Sequence, residues 1–155
     1  MRRGVRLGVD VGKVRVGLAR CDRDGLLATP LETVQRRGDQ LEPVLDRILE
    51  LAAELEAIEL VVGLPIAMSG RDTPSTADAR AVAQRLAEGP VPVRMFDERL
   101  TTVSAQAALH ASGRNTRGSR PVIDQVAAVI LLQHALDAER ARGVAPGALL
   151  DPERK

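Results

Sequence analysis

The chain has 155 residues, 45% apolar and 28% charged, with a formal net charge of +1. Such a composition suits one globular domain that buries its own core, and it excludes a disordered chain and a global field that would draw the protein onto polyanions. One cysteine, Cys21, excludes an intrachain disulfide or a thiolate zinc cluster, and the longest wholly apolar run, residues 126–132, falls far short of the ~20 residues that span a bilayer.

The basic start "MRRGVR" leads into a strand pattern rather than a secretory apolar core, so a cytoplasmic protein with no membrane partner is expected. Apolar alternation at 5–10 and 14–20 and an extended stretch at 26–34 predict three strands. The turn dipeptides Gly12-Lys13 and Asp24-Gly25 join them into an antiparallel meander. Leu41, Val44, Leu45, Ile48, Leu49, Ala52 and Leu55 recur at three- and four-residue spacing, predicting a helix with Asp39 and Glu42 in a capping arrangement. Residues 58–63 read as a buried parallel strand, Ser75 to Glu88 as a helix and 91–96 as another strand. Helices near 101–112 and from about 121 follow, separated by the polar loop "SGRNTRGSRP". Residues 1–142 are expected to form a single domain, with 143–155 a flexible tail. The order implies an α/β fold on a five-stranded mixed sheet, three strands antiparallel and two parallel, flanked by helices.

In such sheets, sites form beyond the carboxyl ends of the parallel strands. "LGVD", "VRMFDE" and "PVID" each set a carboxylate after an apolar run. An isolated Asp10 would be read as a turn cap, and Asp124 as a partner of a helix dipole. Gathered together, Asp10, the pair Asp97 and Glu98, and Asp124 would repel one another unless a divalent cation were present. Hard oxygen ligands suit Mg²⁺ or Mn²⁺, and two such ions would activate water against a phosphodiester. His110 and His134 lie on separate helices and are read as structural or solvent-facing. Asp97 and Glu98 point to opposite faces of an extended segment, so only one of them can join Asp10. The glycines at 8 and 12 are expected to leave room at a turn where metal and phosphate approach the backbone, a role compatible with a tight hairpin there.

Together, "GVDVGKVRVGLA", "VVGLPIAMSG", "DERLTT" and "IDQVAAVILLQ" resemble the four signature blocks of the YqgF/RuvX family, in the same order, from about Leu7 to Leu136. The resemblance implies an RNase H-like fold and a nuclease that matures the 5′ end of pre-16S rRNA or resolves Holliday junctions. It also implies that Glu98, rather than Asp97, joins Asp10 and Asp124 as catalytic and metal-binding acids.

Lys13 and Arg15 follow Asp10, Arg99 follows Glu98, and Arg114, Arg117 and Arg120 precede Asp124. With Arg71, these are the candidate contacts to a nucleic-acid backbone, although a solvated loop accounts for 113–120 equally well. Phe96 is the one aromatic residue of the chain and is assigned to the core, so recognition of helix shape and backbone is expected rather than base stacking. The partner is then a structured rRNA precursor or branched DNA, with the ribosome and a second copy of the chain as further candidate partners; junction resolution would require a dimer. The competing reading is a non-catalytic ribosome-assembly or transcription-associated factor. An ATPase of the actin type is disfavoured because no second half or further glycine-rich phosphate loop is present.

Overall fold

The computed structural model describes residues 1–97 and 120–150. β1 (Arg6–Val11), β2 (Arg15–Cys21) and β3 (Ala28–Gln35) form the expected antiparallel meander. The first turn closes where the Gly12 amide donates to the Arg15 carbonyl at 2.9 Å. In the second, Asp22 Oδ1 accepts from the amides of Leu26 and Leu27, both at 2.9 Å, and Gly25 takes a φ of 67°. That left-handed torsion favours glycine.

α1 (Glu42–Glu54) leads to β4 (Glu59–Leu64), α2 (Pro74–Ala87) and β5 (Val93–Asp97), and α3 (Arg120–Arg142) precedes β6 (Ala148–Leu149). The sheet order is β3-β2-β1-β4-β5-β6, with β1, β4 and β5 parallel. The sheet therefore has six strands, one more than the sequence pattern implies. β6 pairs antiparallel with β5 through Arg94↔Leu149 and Met95↔Ala148, and the Leu150 amide adds a bond to Val93 O at 2.8 Å. Two residues are too few to show a period, so this edge pairing, inside the expected tail, leaves no pattern in the sequence. The helix expected near 101–112 lies outside the described residues.

Strand alternation divides the core into two layers. Leu7, Val9, Val16, Leu18, Leu60, Val62, Val93 and Met95 pack against α1 and α2. Ala19, Cys21, Val61 and Phe96 pack against Ala128, Leu131, Leu132, Ala135 and Leu136 of α3. Each fully buried Val or Leu side chain in these layers stabilises the fold by about 1.5–3 kcal/mol. Among the described residues no helix is long and apolar enough to cross a membrane.

The helix starts differ from the sequence reading. Leu41 begins α1 without a side-chain cap, so the expected Asp39–Glu42 capping does not form; Glu42 instead accepts from Arg85 of α2 at 2.9 Å. α2 has the capping box: Thr73 Oγ1 accepts from the Thr76 amide at 3.3 Å, and the Thr73 amide donates to Thr76 Oγ1 at 2.9 Å. A threonine replaces the Glu or Gln usual at the fourth position of that motif.

Candidate functional site

Asp10 lies at the carboxyl end of β1, half-buried and paired with Gly17 of β2. Leu7 and Val9 face α1 and α2, so Gly8 and Asp10 face α3. Contact at Gly8 fixes this assignment, because a Cβ there would lie 2.9 Å from both the Ala128 carbonyl oxygen and Leu132 Cβ. α3 runs opposite to β3 and β1. Its Gln133 accepts from the Ala28 amide at 2.9 Å, whereas Gln125, two turns earlier, donates to Thr33 Oγ1 at 3.0 Å. From Gly8 to Asp10 the strand advances about 6.6 Å, and from Ala128 to position 124 the helix backbone advances about 6 Å in the same direction. Asp10 and the backbone of position 124 thus lie level, at one end of one face of the sheet.

The same alternation places Asp97, at the same end of the sheet, on its other face. Val93 and Met95 belong to the α1/α2 layer and Phe96 to the α3 layer, so Asp97 faces away from Asp10. Glu98, Arg99, Arg114 and Arg117 lie outside the described residues, and Arg120 begins α3.

The space beside the two glycines is filled by the protein itself. α3 occupies it at Gly8, and at Gly12 a Cβ would lie 2.6 Å from the Arg15 carbonyl oxygen. These positions therefore permit a close helix at Gly8 and a tight hairpin at Gly12.

Lys13 is exposed at the β1–β2 turn, and Arg15 opens β2 opposite Gln35. Arg71 is exposed on a small hairpin beyond β4, closed by the Gly70 amide to Ala67 O at 2.7 Å and the Ala67 amide to Arg71 O at 3.0 Å. β4 is parallel to β1, with Val62 beside Val9, so this hairpin rises from the same end of the sheet as Asp10.

Arg36, absent from the sequence-based candidates, connects this region to α2. Its Nη1 donates to Gly12 O at 2.7 Å and to Asp78 Oδ2 at 2.6 Å, and its Nη2 donates to Asp78 Oδ1 at 3.0 Å. The hydrogen bond with Asp78 raises the pKa of this arginine above its ordinary value. No periodicity or motif marks such a pair, because its members come from the end of one strand and the middle of a later helix.

Among the described residues, which exclude His110, the thiol and imidazole donors lie away from Asp10. Cys21 is buried at the opposite end of the sheet, where its Sγ accepts from the Arg6 amide at 3.2 Å. Burial raises its thiol pKa, which disfavours the thiolate a metal requires. His134 lies further along α3 than Ala128, away from position 124. Among the described residues no three His, Cys, Asp or Glu side chains cluster as metal ligands; the side chains of Glu98 and Asp124 are outside that set.

A family model described as "RuvX: Holliday junction resolvase" matches residues 4–138. A protein of Clavibacter sepedonicus named "Putative pre-16S rRNA nuclease" is 61% identical, covering 99% of each chain. One of the same name from Streptomyces coelicolor is 53% identical over 95% of this chain and 88% of its own. Among solved structures, RuvC of T. thermophilus in complex with a Holliday junction substrate superposes with a TM-score of 0.60 at 19% identity, covering 95% of this chain and 99% of its own. At that identity the likeness concerns the fold, which is RNase H-like.

Proposed function

The chain belongs to the RuvX family, and from that membership we propose that it is a divalent-metal-dependent endonuclease that hydrolyses phosphodiester bonds in the 5′ region of pre-16S rRNA, in the cytoplasm. Relatives matched over almost their whole length carry the name of that nuclease. Among the structural observations, the strongest support is the level alignment of Asp10 with helix position 124 on one sheet face.

Asp10, Glu98 and Asp124 are the acids assigned to hold the metal. The donor chemistry fits, since Asp10 offers carboxylate oxygen while Cys21 and His134 lie elsewhere in the fold. Two Mg²⁺ or Mn²⁺ ions would activate the attacking water and offset charge on the leaving oxygen. Asp10 sits on a strand paired on both sides, so its backbone and the direction of its Cβ are fixed before substrate arrives. Lys13, Arg15, Arg71 and Arg120, with Arg99, Arg114 and Arg117, are assigned to backbone phosphates. Phe96 is 7% exposed, which supports reading by shape and charge rather than by base stacking.

Holliday junction resolution is the second reading, favoured by the description of the matching family model; it would require two copies of the chain for two symmetric cuts. Purified wild type and Asp10→Asn, each with Mg²⁺ or Mn²⁺, should be compared on precursor rRNA and on a four-way DNA junction. Cleavage of the rRNA that falls at least ~100-fold in Asp10→Asn is the expected result. Asp10-dependent cleavage of the junction alone would select the second reading. Equal traces in both proteins on both substrates would overturn catalysis and favour a ribosome-assembly factor.

A further inference from the structure

Arg36 directly follows β3 and grips the β1–β2 hairpin at two points. Its amide donates to Val14 O at 2.8 Å, and its Nη1 donates to Gly12 O at 2.7 Å. Those are the carbonyls on either side of Lys13. The Arg36 side chain is only 8% exposed, and its charge is met by a bidentate pair with Asp78. Paired, planar contacts of this kind fix orientation as well as distance. Asp78 in turn lies on α2, whose first turn is held by the Thr73–Thr76 box and by the Thr76 hydroxyl on Pro65 O. Lys13, Arg36, Asp39, Ser75 and Asp78 line one open groove, in which Lys13 is the exposed cation, Asp39 an exposed acid and Arg36 the buried, neutralised cation.

We infer that Arg36 and Asp78 form a positioning pair, holding the hairpin so that Lys13 meets a backbone phosphate of the structured RNA beside Asp10. A turn fixed in the folded protein need not be ordered on binding, and that saving appears as affinity. The inference rests on the nuclease reading for the identity of the polyanion.

The test uses the full chain in an Asp10→Asn background, which prevents cleavage, and a labelled stem from the 5′ region of precursor rRNA. Affinity is measured from 50 to 200 mM salt, a range over which phosphate contacts weaken steeply. Lys13→Ala, Arg36→Ala and Asp78→Asn should each weaken binding several-fold and reduce the salt slope by about 1. Combining Lys13→Ala with Asp78→Asn should add nothing, because both act through one contact. Asp78→Asn is decisive: removing an acid raises the net charge, which by itself would tighten polyanion binding. Asp78→Glu, which keeps the carboxylate, should restore most of the affinity. Exchange of the Gly12 amide in the unliganded protein should quicken by about 10-fold in Asp78→Asn, reporting a loosened hairpin. Unchanged Gly12 exchange, additive losses in the double variant, or Asp78→Asn binding as tightly as its parent would overturn the inference. If the parent itself fails to bind the stem, the nuclease reading falls along with it; binding by the parent that Asp78→Asn leaves intact overturns the inference alone.

Discussion

Gly8 of β1 and Ala128 of α3 meet with no space for a side chain between them, since a Cβ on Gly8 would sit 2.9 Å from the Ala128 carbonyl oxygen. That obstacle is backbone, so Gly8→Ala would have to push α3 off the sheet. Overpacking of this kind costs about 1–3 kcal/mol. Because α3 also carries position 124 beside Asp10, cleavage should fall by roughly a further 10-fold in protein that remains folded, as small displacements of acting groups are costly. Thermal melts alongside cleavage rates at a temperature where the variant is fully folded check both effects. Full activity in a destabilised variant would separate the helix contact from the site.

At the opposite end of the sheet, stability should depend on acid through Glu139. This side chain is 4% exposed and accepts from Arg2 Nη2 at 2.7 Å and Arg6 Nη2 at 3.0 Å, while Arg2 and Arg94 also grip Glu59. Burial alone would raise the Glu139 pKa, but the hydrogen bonds from Arg2 and the charges of Arg6 and Arg2 lower it to about 2. A depressed carboxyl stabilises the fold fully above its unfolded value near 4.5 and loses that contribution as pH falls through about 2. The contribution is about 3 kcal/mol. Glu139→Gln should therefore unfold at lower denaturant at pH 7 and show a flatter loss of stability between pH 4.5 and 2. Denaturant midpoints across that range provide the measurement.

Nucleic-acid affinity should be set by phosphate contacts. Phe96 packs with Val61 and Leu132 in the α3 layer, so Phe96→Leu should leave RNA affinity unchanged and cost less than about 1.5 kcal/mol of stability. Binding should weaken by orders of magnitude from 50 to 200 mM salt if six or more phosphates are engaged. Titration of a folded stem and of an unstructured strand of equal length tests this, with the stem expected to bind more tightly.

The meander, the parallel strands and α1 were legible in the sequence because each carries a clear period: Leu7 and Val9 alternate with Gly8 and Asp10, and Ile48 and Ala52 repeat along α1. Asp10 was legible as an acid interrupting an apolar strand. Whether Asp97 or its neighbour joins it was not legible from composition, because alternation permits either until one face is assigned; Val93 and Met95 assign Asp97 to the α1/α2 face. Arg36–Asp78 and the network of Arg2, Arg6, Glu59 and Glu139 were hidden because their partners are remote in sequence and a chain with many arginines gives no local signal. The capping box carries no standard signature, because Thr76 stands where Glu or Gln is usual, and Asp39 with Glu42 offers a pattern that α1 does not use.

If Asp10, Glu98 and Asp124 share a divalent metal, as proposed, titration calorimetry should detect it. Mn²⁺ should be added to wild type, Asp10→Asn, Glu98→Gln and Asp124→Asn, each with a bound precursor-rRNA oligonucleotide and each shown by circular dichroism to be folded. Saturable uptake by the wild type, weakened at least ~10-fold by each substitution, is the predicted result. No uptake by the wild type, or uptake that all three substitutions leave unchanged, would contradict it.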